Sequence, residues 1–438
     1  MNSPDQIVGF FYQQWVVYSV LSVLVSLGLF FLTKKMSLGF LDPINFYWTF
    51  TFGTSYAVVL LLFVNGFLSF LSFFIILFYF ILLLISMWVG FLAKRVKLGF
   101  RTLEISGGIN SLRNILFVFI IMYFFLTVFY VSKVDWSVFF ISRFEANKGI
   151  GFVVRIMDVL RLFIIAIFSI LIFSKETNNK FKWLFLIVFV FLSSFFTGAK
   201  SAILESVYLI VVVYCLFFKK TLKLKITNLI QYAVLGSGVL MTALFFTSQL
   251  AGKLNYESQY TDLNPAVEMF ISRVIANGDM YYLGLMDDVI FKVSEQTSGL
   301  FELVFRPYLG EDLTTKIFSS GAESSSINVG RAIWEYWFPF SLSGGSTDHF
   351  DLAAYAYCGF IGGCFFVIFL GFFLGRMNKI KLQMIASKDK NFFIIIFFSI
   401  VYMKSYLMLL SPVVALTTLI DIVFVFILCN FLLLMIKK

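Results

Sequence analysis

The sequence predicts an all-α, polytopic integral membrane protein with about 11 transmembrane helices. It also predicts one large, mostly helical extracytoplasmic loop between spans 8 and 9. Sixty per cent of the 438 residues are hydrophobic, and the mean hydropathy is +0.94. Only 13% are charged, about half the fraction found in an ordinary soluble domain. The apolar residues are grouped in runs of about 20, the length that a helix needs to cross a bilayer.

The apolar runs divide the chain into three parts. Predicted spans 1–8 occupy residues 1–250, a polar stretch covers 251–351, and spans 9–11 occupy 352–438. The first run is not expected to be a cleaved signal peptide, because no basic residue precedes it and Lys34 and Lys35 follow it. The runs lie near 10–33, 43–64, 68–93, 114–132, 152–174, 183–199, 201–218, 228–250, 352–375, 391–411 and 413–436.

The basic residues indicate the orientation in the membrane. Of the 34 Lys and Arg residues, 21 lie in every second connection, at 34–35, 94–113, 175–182, 219–225, 376–390 and 437–438. By the positive-inside rule these connections face the cytoplasm. We therefore expect the N-terminus and the 251–351 loop outside, and the C-terminus inside. The net charge of +10 is thus explained without a nucleic-acid partner.

Several classes of protein are excluded or disfavoured. No GxxxxGK[ST] phosphate loop is present, and the predicted cytoplasmic connections are too short for a nucleotide-binding domain. A transporter subunit with its own ATP motor is excluded, and a cytoplasmic nucleotide-sugar transferase is disfavoured. The four cysteines fall in apolar runs without a CxxC pair, so neither a disulfide framework nor a structural zinc is expected. They are Cys215, Cys358, Cys364 and Cys429.

The predicted outside loop holds the candidate base, since a loop of this length between membrane helices is large enough for a site. His349 is the one histidine of the chain, and Asp348 and Asp351 flank it in a Gly- and Ser-rich turn. Carboxylates in such positions orient an imidazole for proton transfer, although an ordinary polar role is the alternative. Upstream, Trp334 and Tyr336 predict either an interfacial aromatic anchor or a platform for a sugar ring.

Cations on the predicted outer side form the second candidate site. Arg155, Asp158 and Arg161 follow at i, i+3 and i+6, so they share roughly one face of span 5. Self-neutralisation with snorkelling of Arg155 is one interpretation. The other is a bound phosphate, because the positive-inside rule gives no reason for outside cations. The predicted phosphate-binding set is Arg143, Arg155, Arg161, Lys200, Arg273 and Arg331.

Short motifs and the overall layout resemble the multispanning polysaccharide polymerases of the Wzy type, the oligosaccharide repeat-unit polymerase family. The large late loop is one shared feature, and the likeness in layout covers most of the chain. The motifs are Ser142-Arg143-Phe144 with Lys148-Gly149, Thr197-Gly198-Ala199-Lys200-Ser201, and Gly344-Gly345-Ser346 followed by Tyr355 and Gly359-Phe360-Ile361-Gly362-Gly363.

The resemblance implies a membrane glycosyltransferase that needs neither a metal nor a nucleotide cofactor. Such enzymes polymerise undecaprenyl diphosphate-linked repeat units into O-antigen or related surface polysaccharide at the outer face of the bacterial cytoplasmic (inner) membrane. Arginines bind the donor diphosphate, an acid or histidine near the loop's end is the base, and direct attack inverts the anomeric centre. The implied partners are the lipid-linked donor and acceptor, membrane lipid, a chain-length regulator and a flippase.

Two departures and two alternatives accompany this resemblance. Relatives often have Arg where this chain has Lys200, and often have Glu where it has Ala353 and Ala354. A ligase that transfers the finished glycan shares the same layout. A polysaccharide flippase or secondary transporter is the alternative from another class. Lys404 and Asp421, at similar depth on either side of Pro412, predict either a buried ion pair or a proton-coupling site.

Overall fold

A computed structural model describes residues 4–94, 108–141, 146–147, 149–174, 180–197, 202–222, 264–294, 297, 299–318, 328–341, 345–387 and 391–436. Over these ranges the chain is mainly helical, and an isolated bridge pairs Gly39 with Leu222. Eight helices of the described residues are long and apolar enough to cross a membrane. The predicted class, an all-α polytopic membrane protein, is confirmed at this level.

The N-terminal half of the chain contains nine helices among its described residues. A π-helical turn, Asn45–Thr51, leads directly into the third of them. Predicted span 8, over 228–250, lies outside the described residues. The helices are α1 Pro4–Gln13, α2 Trp15–Thr33, α3 Phe52–Val64, α4 Phe70–Leu92, α5 Ile109–Lys133, α6 Trp136–Ile141, α7 Gly151–Phe173, α8 Lys180–Thr197 and α9 Ala202–Phe218.

Six short helices follow within the described part of the predicted loop, and three long ones end the chain. The predicted helix start at Asn264-Pro265 is confirmed, because the Asn264 side chain accepts a hydrogen bond from the Ala266 amide at 2.9 Å. The helices are α10 Pro265–Ile275, α11 Asp279–Gly284, α12 Val289–Ser294, α13 Leu300–Leu309, α14 Glu311–Phe318, α15 Val329–Trp337, α16 Phe350–Ala386, α17 Phe392–Ser405 and α18 Pro412–Ile436.

Helices α4 and α16 pack closely because glycines let their backbones approach. A Cβ atom on Gly375 would lie 2.0 Å from the Met87 carbonyl oxygen, and one on Gly90 would lie 2.3 Å from that of Phe372. Small residues have this role between membrane helices, where dispersion contacts replace the hydrophobic effect. At Gly359 the backbone of α16 leaves helical geometry, with φ 65° and ψ −178°, a conformation that favours glycine.

Helix α7 lies at the centre of the bundle, with α5, α8, α9, α17 and α18 packed around it. Its polar residues therefore face other helices, and 83% of its most apolar window is buried. Helices α10 and α11 rest on α3, and the Tyr12 hydroxyl donates to the Glu268 carbonyl at 3.1 Å. Helix α13 packs on α18 instead. The described loop helices thus contact both the first and the last parts of the bundle.

Candidate functional site

A network of four charged side chains, of which Arg161, Glu205 and Lys404 are buried and Asp158 is partly exposed, joins α7, α9 and α17. Arg161 is fully buried, and its Nη2 lies 2.7 Å from Asp158 Oδ1 and 3.0 Å from Glu205 Oε2. Lys404 Nζ lies 3.0 Å from Glu205 Oε1 and 3.2 Å from Asp158 Oδ2. Two cations thus meet two carboxylates, and the network is formally neutral. Ionised partners in such contact offset one another's desolvation.

This network corrects one sequence expectation. Lys404 and Asp421 predict either a buried ion pair or a proton-coupling site, and the ion pair between them is wrong, because Lys404 pairs with Asp158 and Glu205 instead. Helices α17 and α18 do place the two residues in the same bundle, yet Asp421 turns toward Arg155. Sequence reasoning overlooked Glu205, although a lone acid within an apolar run is a strong signal for a functional or paired residue.

Arg155, one helical turn before Asp158, has a different environment from Arg161. Its Nε lies 3.7 Å from Asp421 Oδ2, which is an ion pair but too long for a hydrogen bond. Its guanidinium carbon lies 4.7 Å from the ring centroid of Tyr308, and the Tyr308 hydroxyl lies 2.8 Å from Asp421 Oδ1. All three side-chain nitrogens of Arg155 are buried without a hydrogen-bond partner among the described residues.

The chemistry of Arg155 follows from those unfilled donors. A guanidinium carries five N–H bonds in a planar fork that matches carboxylate and phosphate oxygens. Buried donors of this kind are normally satisfied, since leaving one unbonded costs about 1–3 kcal/mol. Arg155 is therefore the predicted phosphate-binding residue whose geometry in the structure best suits an anion.

The predicted base, His349, is fully buried at the N-terminus of α16. Its Nε2 lies 2.6 Å from the Asn277 carbonyl oxygen, so Nε2 carries the proton and donates it. Nδ1 is then the atom with a free lone pair, and it has no partner among the described residues. The ring packs on Phe52 and Tyr281, at centroid distances of 5.1 and 4.8 Å. Burial lowers the pKa of His349 to about 4, so the imidazole is neutral at pH 7.

The two aspartates beside His349 bond to other groups. Asp348 Oδ1 accepts a 2.6 Å hydrogen bond from the Gly330 amide near the start of α15, and burial raises the pKa of Asp348 to about 7. Asp351 Oδ2 accepts from the Tyr281 hydroxyl at 2.7 Å and from the Tyr56 hydroxyl at 3.2 Å. The backbone carbonyl of Asn277, and not one of these carboxylates, thus orients the imidazole.

The remaining predicted site residues on α15 lie close to that turn. Arg331 Nε lies 2.7 Å from Glu335 Oε1, and its Nη2 donates to the Ser341 carbonyl at 2.6 Å. The Trp334 ring packs against Phe338 at 4.6 Å, whereas Tyr336 is 46% exposed. Arg331 therefore bonds to nearby residues of its own segment, Glu335 and Ser341.

The structure divides the predicted site residues into two groups. Arg155 and Arg161 lie on α7, next to Asp421 and Glu205. Arg331 and the aromatic residues on α15 lie with the His349 turn, which is joined to α15 by the bond from Gly330 to Asp348. Arg273 is exposed in the last turn of α10. Arg143 and Lys200 lie outside the described residues.

A second buried ion pair lies away from both groups and was not predicted. Lys381 Nζ lies 2.6 Å from Asp42 Oδ2, and both side chains are fully buried. The hydroxyl of Tyr402 donates to Asp42 Oδ1 at 2.6 Å, and Asn378 Oδ1 lies 3.0 Å from Lys381 Nζ. The pair ties α16 and α17 to the connection between α2 and α3. Its donors and acceptors are matched, so packing of the bundle accounts for it.

Comparison with known proteins adds no further assignment to this geometry. The chain matches no protein-family model, no curated protein and no solved structure.

Proposed function

We propose that the chain is a membrane glycosyltransferase that polymerises polyprenyl diphosphate-linked repeat units into a surface polysaccharide at the outer face of the bacterial cytoplasmic membrane. The observation that carries this proposal is the buried guanidinium of Arg155, whose three nitrogens have no hydrogen-bond partner among the described residues. Arg161 and Lys404 are compensated by carboxylates at 2.7 to 3.2 Å. Arg155 thus supplies unfilled donors beside a charge-balanced network.

In this reaction the donor diphosphate is the leaving group. The bond between its oxygen and the anomeric carbon breaks as a hydroxyl of the acceptor sugar attacks that carbon, and negative charge develops on the phosphate oxygens. Arg155 donates hydrogen bonds to those oxygens, and the bonds strengthen as the charge grows. The direct attack inverts the anomeric centre.

The hydroxyl proton passes to His349 Nδ1 in the proposed mechanism. Two features of His349 support this role: its lone pair has no partner among the described residues, and its ring is neutral at pH 7. The Asn277 carbonyl fixes the tautomer that leaves Nδ1 free. Because His349 is fully buried and belongs to a different group of site residues from Arg155, the role requires that the turn over 345–349 moves toward the bound donor when the acceptor binds.

The test uses a strain from which the gene has been deleted, complemented with variants of the full chain. Arg155→Ala is expected to lower the yield of long polysaccharide by about 100-fold, the usual cost of removing one donor to a developing anion. Arg155→Lys is expected to recover only part, since an ammonium lacks the planar fork. The matched control is Arg113→Ala, which changes an exposed arginine in the second turn of α5.

The gel pattern of the glycan separates the alternatives. A single repeat unit on the surface of the deletion strain is the result expected for a lost polymerase. Loss of attachment with long lipid-linked chains retained would instead indicate a ligase. Full chain length and yield in the Arg155→Ala strain, at a normal protein level, would overturn the proposal.

One observation favours a second candidate, a secondary transporter. Ionised side chains within a bundle of apolar helices often mark ion or proton pathways, and the described helices contain such a group around Glu205. Uptake of labelled repeat-unit lipid across sealed vesicles, dependent on a pH gradient, is the result expected for a transporter. The polymerase needs no gradient.

A further inference from the structure

An open apolar groove of about 380 Å³ runs between α13 and α18, a volume within the range of ligand pockets. All eight residues that line it are apolar. Helix α13 contributes Phe301, Val304 and Phe305, and α18 contributes residues such as Leu416, Ile420 and Val423. Within each set, spacings of three, four or seven positions place the residues on one face of the helix. The groove therefore lies between an apolar face of α13 and an apolar face of α18.

One end of this groove adjoins Arg155. Tyr308 is the next residue on the same face of α13, four positions after Val304. Its ring lies 6.3 Å from that of Phe424, which lines the groove, and 4.7 Å from the guanidinium carbon of Arg155. Tyr308 is therefore the border between the apolar surface and the Arg155–Asp421 pair.

A second arginine with unfilled donors, Arg306, lies on α13. Arg306 pairs through Nη2 with Glu311 at 2.8 Å and with Glu302 at 3.8 Å, but its Nε and Nη1 are buried without a partner among the described residues. Arg306 is not among the residues that line the groove, so the guanidinium at the groove is that of Arg155, whose nitrogens have no hydrogen-bond partner among the described residues. This combination of a long apolar surface and cationic donors is complementary to an amphiphile with an anionic head.

We propose that the groove binds the isoprenoid chain of the lipid-linked substrate while Arg155 contacts its diphosphate. The inference rests on the proposed function and adds to it the position of the hydrocarbon part of the donor. In a bilayer an isoprenoid chain is already among apolar neighbours, so the groove orients the chain by packing contacts. Most of the selectivity then comes from the contact between the diphosphate and Arg155.

The experiment uses the full chain in vesicles of phosphatidylethanolamine and phosphatidylglycerol. The probe is a short isoprenoid diphosphate with a benzophenone group on its terminal isoprene unit, and the sites of photo-crosslinking are mapped by peptide mass spectrometry. In the wild-type chain, labelling is expected on α13 and α18, and unlabelled isoprenoid diphosphate is expected to compete. This mapping needs no variant.

A matched pair of variants tests the groove itself. Val423→Trp fills the groove, and Val188→Trp places the same side chain on α8; the two valines are 45% and 46% exposed. Labelling is expected to fall at least tenfold in Val423→Trp and to stay at the wild-type level in Val188→Trp. Labelling that maps elsewhere, or that survives Val423→Trp unchanged, would overturn the inference. Labelling that unlabelled isoprenoid diphosphate does not reduce would also overturn it, because the groove would then be an ordinary lipid contact.

Polymer formation in the same vesicles separates this inference from the proposed function. A wild-type chain that labels on α13 and α18 but makes no polymer would refute the proposed function and retain a lipid diphosphate site. Polymer formation at the wild-type rate in Val423→Trp, with labelling elsewhere, would refute the groove and retain the polymerase.

Discussion

Lys404 of α17 and Glu205 of α9 form a two-pronged ion pair inside the bundle, with Nζ 3.0 and 3.1 Å from the two carboxylate oxygens. The two helices are far apart in the sequence, with α10 to α16 between them. Lys404 also pairs with Asp158, and Glu205 also pairs with Arg161. Glu205 therefore balances the charges of two cations at once.

Replacement of Glu205 by Gln is expected to destabilise the bundle. The change leaves Arg161 and Lys404 with one carboxylate between them, and removal of one partner from a buried ion pair costs about 3–5 kcal/mol. The midpoint of thermal unfolding in detergent measures the effect. Glu311→Gln is the control, because Glu311 is 71% exposed in its pair with Arg306, and exposed pairs contribute about 0–1 kcal/mol. Equal midpoints for both variants would contradict the prediction.

The close approach of α4 and α16 gives a second prediction. In Gly375→Ala the new methyl group would meet the Met87 carbonyl oxygen at 2.0 Å, so the helices must separate and lose packing. A Cβ at Gly28 in α2 meets nothing within 4 Å, and Gly28→Ala is expected to stabilise the helix by up to about 1 kcal/mol. Unfolding midpoints should therefore shift in opposite directions. A higher midpoint for Gly375→Ala would rule out the tight packing.

Asp348 gives a third prediction, on stability as a function of pH. Burial raises the pKa of its carboxyl to about 7 from an ordinary value of 3.8, so the folded chain holds a proton that the unfolded chain releases. The stability from this group is complete below about pH 4 and is lost as the pH rises through 7. Asp348→Asn removes this loss. The unfolding midpoint of Asp348→Asn minus that of the wild type should increase from pH 5 to pH 8. A difference that stays constant over this range would refute the raised pKa of Asp348.

His349 acts in the opposite direction and gives the fourth prediction. Its pKa of about 4 means that the imidazole stays neutral until the pH falls near that value. The rate of polymerisation should therefore not show an acidic limb near pH 6.5, the ordinary value for histidine. His349→Gln is expected to lower the rate by about 100-fold or more, the usual contribution of a general base. An acidic limb near 6.5 that persists in Asp348→Asn, where the carboxyl with a pKa of about 7 is gone, would exclude His349, as positioned in the structure, as that base.

Sequence reasoning located the helices well because runs of about 20 apolar residues are a strong signal. The run near 43–64, for example, corresponds to the helical stretch Asn45–Val64. The sequence does not reveal that this stretch starts with the π-helical turn Asn45–Thr51. Local backbone geometry of that kind depends on the helices packed against it.

Side-chain partners were harder to predict than helices. Counting residues from Pro412 gave the depth of Lys404 and Asp421, but depth does not say which way each side chain turns around its helix axis. Lys404 turns toward Glu205, on a helix almost 200 positions away in the chain. His349 is oriented by the backbone carbonyl of Asn277, and because every residue has such a carbonyl, residue type alone could not indicate this partner.

The break at Gly359 decides how α16 fits a bilayer. As one straight rod its 37 residues would be about 55 Å long at 1.5 Å per residue, which exceeds the roughly 40–45 Å of a membrane with its headgroups. The 27 residues after the break, Phe360–Ala386, measure about 40 Å. One glycine thus separates a segment of membrane thickness from the two turns that carry Asp351. Those two turns can pack against the loop helices without changing how well the length of the spanning segment matches the bilayer.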